Sequence, residues 1–164
     1  MPTRTLELRR ISVVSSRPFE DVLASLSASI ARPDVLRFRD ALARTKTFAE
    51  LEALVNGTVG SSQLMEFDRF DSGRVRAVER GGEGPRLLRL AVGNPLIMKE
   101  MVEAVPDAGS YAPVTILVDE RPDGVHLSYD SMASLLAPYG SEAALAVARD
   151  LDAKVETLLN AAAG

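Results

Sequence analysis

Three polar residues at alternate positions, His126, Ser128 and Asp130, are the first candidates for chemistry in this chain. A strand over this segment would carry all three on one face. They do not support a hydrolase triad, because same-face neighbours on a strand lie about 6.6 Å apart, beyond ordinary hydrogen-bond reach. The pattern predicts a solvated polar sheet face, with His126 and Asp130 as outside candidates for moving protons.

Two tyrosines offer an aromatic ring and a hydroxyl near this strand. Tyr111 lies in the loop "DAGSYAP", and Tyr129 lies on the strand itself. Both are expected to line a cavity between a sheet and its covering helices. Tyr111 is therefore a third candidate for moving protons.

The segment "RLAVGNPLIMKEMVEAV" predicts a strand that ends at Gly93-Asn94-Pro95 and a helix that begins at once. Asparagine is a favoured N-cap, and proline suits the first helical position. A phosphate cradle needs several exposed amides, so capping is favoured over anion binding. Methionines on the apolar side of the helix fill a core or shape the wall of an apolar site. The residues predicted to bind a ligand are Asn94, Met98, Met101, Tyr111 and Tyr129.

Composition excludes several classes of site. The chain has no cysteine and one histidine, which excludes disulfides, thiolate nucleophiles and the usual structural zinc sites. No nucleotide motif occurs, so we expect no metal and no cofactor. The net charge is -4 without a basic run, and nowhere do about 18 apolar residues follow one another, so neither nucleic acid nor a membrane is an expected partner. A soluble, cytoplasmic protein is expected.

Apolar periodicity predicts a single domain over residues 1–164, in the order strand, helix, helical segment, three strands, helix, hairpin and helix. The first strand is expected at about 6–13, with a bulge near Arg9 and Arg10. "LMEFDRF" and "RVRAVER" are expected to form one hairpin, and the turn "RPDG" a second, because proline presets the turn and glycine takes a positive φ. The order predicts an α+β fold, an antiparallel sheet covered by helices.

Residues 32–63, here called the flap, show a looser pattern of short helices. Thr47 and Glu50 have capping-box spacing, and Asn56-Gly57 ends the second helix. The next segment, "NGTVGSSQ", has the composition of a flexible connection, so the flap could be hinged there. A static helical insertion is the favoured interpretation, and a lid over a cavity is the alternative.

The stretch "AVGNPLIMKEMVEAVPDAGSYAPVTILVDERPDGVHLSYDSMASLLAPYG" resembles the carboxy-terminal half of the domain-of-unknown-function 302 (DUF302) family. Asn94-Pro95 and Ala112-Pro113 fall at corresponding steps, and residues 10–20 resemble the opening strand and helix. The resemblance implies a small, often dimeric α+β fold with a curved sheet, and it lends no general reaction. Val114 stands where the family has a cysteine, so no thiol role carries over. In the family a glycine-aromatic step follows the first helix, and here the flap replaces it.

Three functions remain open. The favoured one is a domain that binds a small, largely apolar ligand in a cavity between sheet and helices, with the flap limiting access. The second is a cofactor-independent isomerase, cyclase or lyase acting on a hydrophobic metabolite, with Tyr111, His126 or Asp130 moving protons. The third is a purely structural homodimer.

Overall fold

Five strands form an open antiparallel sheet in a computed structural model that describes residues 3–164. The strands are β1 (Arg10–Ser15), β2 (Met65–Asp71), β3 (Leu87–Gly93), β4 (Val114–Arg121) and β5 (Gly124–Asp130). Their order across the sheet is β1-β5-β4-β3-β2. The predicted hairpin at "RPDG" is confirmed: Arg121 pairs with Gly124, whose φ of +140° lies in the region that favours glycine.

Seven α-helices surround this sheet in the described part of the chain, which confirms the α+β fold class. They are α1 (Phe19–Ser29), α2 (Val35–Leu42), α3 (Phe48–Asn56), α4 (Ser72–Glu79), α5 (Pro95–Ala104), α6 (Met132–Leu136) and α7 (Glu142–Ala163). Short 3-10 helices follow α5 at Pro106–Ser110 and α6 at Ala137–Tyr139. Within residues 3–164, no helix is long and apolar enough to span a membrane.

The main core lies between one face of the sheet and helices α1, α5, α6 and α7. Ile116 on the central strand β4 and Leu127 on the neighbouring β5 are fully buried on this face. The predicted apolar stripe of the last helix packs against them, with Ala148 and Val155 also fully buried. The opposite face of the sheet carries exposed side chains at its margins, including Val14.

The segment "RVRAVER" is a helix, α4, and the prediction of a strand there was wrong. The Asp71 side chain caps α4 by accepting a hydrogen bond from the Arg74 amide at 2.7 Å. Val75 and Ala77 have the two-residue spacing of one face of a strand. The residues that are buried are Gly73 and Ala77, whose four-residue spacing is that of one face of a helix. The sheet therefore has five strands and not the six of the sequence prediction.

The amino-terminal strand also differs from its prediction. It begins at Arg10, and its six residues pair one to one with β5 without a bulge. A register shift occurs instead in β2, between Glu66 and Asp68. Residues 3–9 have no regular secondary structure, although the Arg9 carbonyl accepts a hydrogen bond from the Ser131 amide.

The flap consists of α2 and α3, and its Phe38 and Val55 pack with Met65 of β2 in a small apolar cluster. The capping box of Thr47 and Glu50 is confirmed. The carboxy-terminal end of the flap is tied to the end of α1, because the Ser62 amide and hydroxyl both donate to the Ser29 carbonyl, at 3.1 and 2.8 Å. The connection predicted to be flexible is thus held by hydrogen bonds.

Candidate ligand-binding site

A cavity of about 330 Å³ lies between the flap and the main core. Its floor is formed by fully or almost fully buried residues, Val92, Met101, Val114 and Leu151. The flap contributes Phe38, Arg39 and Leu42 to the wall. The remaining lining residues come from β2, the β3–α5 corner, α5 and the loop before β4: Phe67, Gly93, Asn94, Pro95, Ile97, Met98, Gly109, Ala112 and Pro113.

Asn94 lines this cavity and holds the corner at which β3 becomes α5. Its side-chain carbonyl accepts a hydrogen bond from the Leu96 amide at 2.8 Å, which confirms the predicted cap. Its side-chain amide donates to the Gln63 carbonyl at 2.9 Å and so ties the corner to the end of the flap. Both polar ends of Asn94 are therefore engaged within the protein, and its contribution to the cavity is one of shape.

The two methionines of α5 both line the cavity, at different depths. Met101 is almost completely buried and belongs to the floor, whereas Met98 is half-buried nearer the surface. Methionine adapts its shape to irregular apolar surfaces because its side chain is unbranched and flexible. Each therefore both packs against neighbours and forms part of the cavity wall.

Tyr129 lies outside the cavity lining, in the main core. Its side chain is almost fully buried, and its hydroxyl donates to the Asp152 carboxyl group at 2.7 Å. Burial, followed by the neighbouring Asp152, raises the pKa of Tyr129 well above its ordinary value. The structure therefore gives Tyr129 a place in a buried hydrogen-bond network.

That network centres on Asp152, which the sequence analysis missed. Its carboxyl group accepts hydrogen bonds from Ser131 Oγ at 2.5 Å and from the backbone amides of Met132 and Ala133 at 2.8 and 3.2 Å. Asp152 thus joins α7 to the start of α6. The sequence did carry a signal, because Asp152 lies four residues after Ala148 and three before Val155, on the apolar stripe of α7.

Tyr111 also lies outside the cavity lining, although its neighbours Gly109 and Ala112 are part of it. The Tyr111 hydroxyl lies 3.1 Å from the hydroxyl of Tyr139. This hydrogen bond is the main cause that raises the pKa of Tyr139 to about 12. The Tyr111 hydroxyl is therefore paired with another tyrosine, which does not line the cavity.

His126 and Asp130 lie on the sheet face that the main core does not use. His126 is 8% exposed, so the prediction of a solvated position was wrong: its strand, β5, lies between β1 and β4 and is not an edge of the sheet. Its Nε2 atom lies 2.9 Å from the Asp123 carboxylate, an interaction that lowers the pKa of Asp123. Asp130 accepts two hydrogen bonds from Arg10, at 2.6 and 2.8 Å. The three proton-transfer candidates thus do not meet at the cavity.

The charge of the cavity wall comes from one residue, Arg39, which the sequence analysis did not single out. Among residues 3–164, no group of three or more His, Asp or Glu side chains is placed to hold a metal ion. Other lining residues that the sequence analysis did not select include Ile97 on α5 and Leu151 on α7, two helices that are far apart in the sequence. Only the tertiary structure brings them together.

Comparison with known proteins shows to which family this chain belongs. The chain is similar to the crystal structure of an uncharacterized conserved DUF302 protein from Bacillus stearothermophilus, with a TM-score of 0.62 and 12% identity, over 93% of this chain and 97% of that chain. At this identity the likeness shows the fold alone. None of the curated proteins matches the chain.

The family model described as "Domain of unknown function DUF302" matches residues 41–162. This match begins inside the flap, so an insertion at 32–63 stays a prediction. Val114, which stands where the resemblance expects a cysteine, lies on the cavity floor. Because the family model matches more than half of the sequence, the chain belongs to the DUF302 family.

Proposed function

We propose that this protein binds a small, largely apolar molecule in the cavity beneath α2. The observation that carries the proposal is the cavity of about 330 Å³, whose lining is apolar or glycine apart from Arg39 and Asn94. A concave, mostly apolar site with a few placed polar groups is the usual form of a small-molecule site.

The size of the cavity limits the ligand. At about 30 Å³ per water molecule in the liquid, 330 Å³ corresponds to roughly eleven waters. A ligand of roughly ten to fifteen non-hydrogen atoms fits this space. Larger polycyclic molecules and nucleotides exceed it, so we expect compact or short-chain apolar ligands.

The flap gives the ligand a route to the cavity. Its α2 helix supplies three wall residues and packs on the small cluster around Phe38, separate from the main core. The hydrogen bonds between Ser62 of the flap and Ser29 of α1 hold the base of the flap, about which α2 could tilt. We therefore propose that amide exchange in α2 is faster than in β4 and β5, and that bound ligand slows it. Protection of α2 equal to that of α7 in the free protein would contradict a moving flap.

The binding proposal is tested with neutral probes, 1-octanol and 2-naphthol, by isothermal titration calorimetry and thermal shift. The test variant is Leu42→Glu, which places a carboxylate on the cavity wall. The matched control is Leu36→Glu on the same helix, because Leu36 is 72% exposed and does not line the cavity. We expect the wild type and the control to bind alike, and Leu42→Glu to bind roughly three- to tenfold more weakly.

The alternatives give different results in the same experiments. If no probe binds the wild type and native mass spectrometry finds a dimer without a retained small molecule, the structural homodimer is the better account. Equal affinities of the wild type and both leucine variants would show that the probes bind outside the cavity. The enzyme alternative gains no support from the cavity, because Tyr111, His126 and Asp130 do not line it.

A further inference from the structure

The charges around the cavity are not balanced. Among residues 3–164, Arg39 is the one charged residue that lines it, and no aspartate or glutamate joins it there. Within the described residues, the Arg39 guanidinium makes no salt bridge and donates no hydrogen bond. Two nearby arginines are engaged, because Arg37 pairs with Asp34 at 3.3 Å and Arg44, just after α2, donates to the Asp40 carbonyl at 2.9 Å.

The position of Arg39 separates a charged mouth from an apolar floor. Arg39 and Leu42 are exposed, whereas Val92, Met101 and Val114 at the floor are at most 4% exposed. A charged group at the floor would lose its hydration without gaining a partner. A ligand with one negative group is therefore oriented, with its apolar part inward and its charge at the mouth.

A second electrostatic contribution has the same sign. Asn94, Pro95 and Ile97, at the first turn of α5, line the cavity. The amino-terminal end of a helix carries a partial positive charge, which favours a nearby anion. This contribution is smaller than that of a full guanidinium charge, and it reinforces the preference that Arg39 creates.

We propose that the natural ligand is a small apolar monocarboxylate, with its carboxylate bound by Arg39 at the cavity mouth. The inference rests on the proposed function, since it concerns the same cavity. A single guanidinium matches a planar carboxylate in two parallel hydrogen bonds. A phosphate site generally presents more donors than one arginine and one capped helix end. The volume of about 330 Å³ fits straight-chain acids of about eight to twelve carbons or small arylalkanoic acids.

The test compares two ligands of ten carbons, one with a charged carboxylate and one with a neutral hydroxyl head group. Decanoate and 1-decanol, both below their aggregation limits at pH 7, are titrated into the wild type, Arg39→Gln and the control Arg37→Gln. Arg37 belongs to the same helix and does not line the cavity. We expect the wild type and Arg37→Gln to bind decanoate about tenfold more tightly than 1-decanol. Arg39→Gln should bind the two equally, with its affinity for 1-decanol unchanged.

Two further measurements sharpen the assignment. Raising the salt concentration from 50 to 500 mM should weaken decanoate binding to the wild type and leave 1-decanol binding unchanged, because salt screens an exposed ion pair. Across the series from hexanoate to decanoate, affinity should rise about three- to fourfold per methylene as the apolar floor fills. A chain-length series without this rise would place the tail outside the cavity.

The outcomes distinguish the two proposals. Equal affinity of the wild type for decanoate and 1-decanol would overturn the carboxylate assignment and leave the binding function standing. Absence of binding by both would overturn both proposals. Tighter binding of decyl phosphate than of decanoate, lost in Arg39→Gln, would replace the carboxylate by a phosphate head group. Circular dichroism of each variant is the control for folding, and we expect spectra identical to that of the wild type because the substituted residues are exposed.

Discussion

The network around Asp152 makes a sharp prediction about stability. Its carboxyl group accepts four hydrogen bonds, from Tyr129, Ser131, Met132 and Ala133, and it joins α7 to the β5–α6 corner. Replacing Asp152 by alanine removes the acceptor of two hydroxyl groups and two backbone amides, of which only the Met132 amide keeps a second acceptor, the Tyr129 hydroxyl at 3.3 Å. Each such group costs about 1–3 kcal/mol when it is left unsatisfied, although relaxation reduces the sum.

We expect Asp152→Ala to lower the free energy of unfolding by about 3–5 kcal/mol, the range typical of breaking a buried polar network. Asp152→Asn keeps the shape but replaces one acceptor oxygen by a donor, so it should lower the free energy by about 2–3 kcal/mol. Urea unfolding followed by circular dichroism measures both. With about 2 kcal/mol per molar urea, the midpoint should fall by roughly 1.5–2.5 M for Asp152→Ala and by roughly 1–1.5 M for Asp152→Asn.

The matched control is Asp150→Asn, which alters an exposed aspartate on the same helix and should change the free energy by less than about 0.5 kcal/mol. A double-mutant cycle with Tyr129→Phe should show a coupling energy of about 0.5–3 kcal/mol. If Asp152→Asn unfolded at the same urea concentration as the control, the carboxyl group would not hold the corner and the reasoning would be refuted.

Three further predictions concern the corner, the tyrosine pair and the flap. Asn94→Ala should lower the free energy of unfolding by about 1–2 kcal/mol, because it removes a helix cap and the bond to the flap end; an unchanged urea midpoint would contradict this. Tyr111→Phe should lower the pKa of Tyr139 from about 12 toward its ordinary value, as measured by alkaline ultraviolet titration, without changing 1-octanol affinity. The backbone amides of Lys46 and Thr47 lower the pKa of Glu50, so its contribution to stability is present above about pH 4.5 and is lost as the pH falls through the lowered value. In Glu50→Gln there is no carboxylate to protonate, so the amide-exchange protection of α3 should fall less on acidification than in the wild type. Identical pH profiles for the variant and the wild type would count against this.

Local chemistry was enough to predict several elements of this fold. Asn94 before Pro95 predicted the start of α5 because the cap is satisfied within the first turn. The spacing of Thr47 and Glu50 predicted the start of α3 for the same reason. The turn "RPDG" predicted the β4–β5 hairpin. In each case the deciding contacts lie within a few residues of one another.

The prediction was wrong at α4, where two periodicities compete. In a segment of eight residues, Val75 and Ala77 fit a strand, while Gly73 and Ala77 fit a helix. Asp71 decides the outcome by capping the helix. The burial of His126 was also unpredictable from its own strand, because neighbouring strands provide the cover.

The candidate site was predictable only in part. Met98, Met101 and Asn94 were selected from one helix, and all three line the cavity. Arg39 and Leu151 could not be selected, because α2 and α7 reach the cavity only through the tertiary fold. Asp152 could have been found, since an aspartate on the apolar stripe of a helix predicts a buried partner.

The central claim, an apolar ligand bound between α5 and α2, is tested most directly by the methionine methyl groups. In a carbon–proton spectrum of protein labelled at these methyls, 1-octanol should shift the resonances of Met98 and Met101, which line the cavity. The resonance of Met132, fully buried beside Asp152 and outside the cavity lining, should stay in place. Unshifted Met98 and Met101 resonances when 1-octanol saturates the protein would contradict the claim.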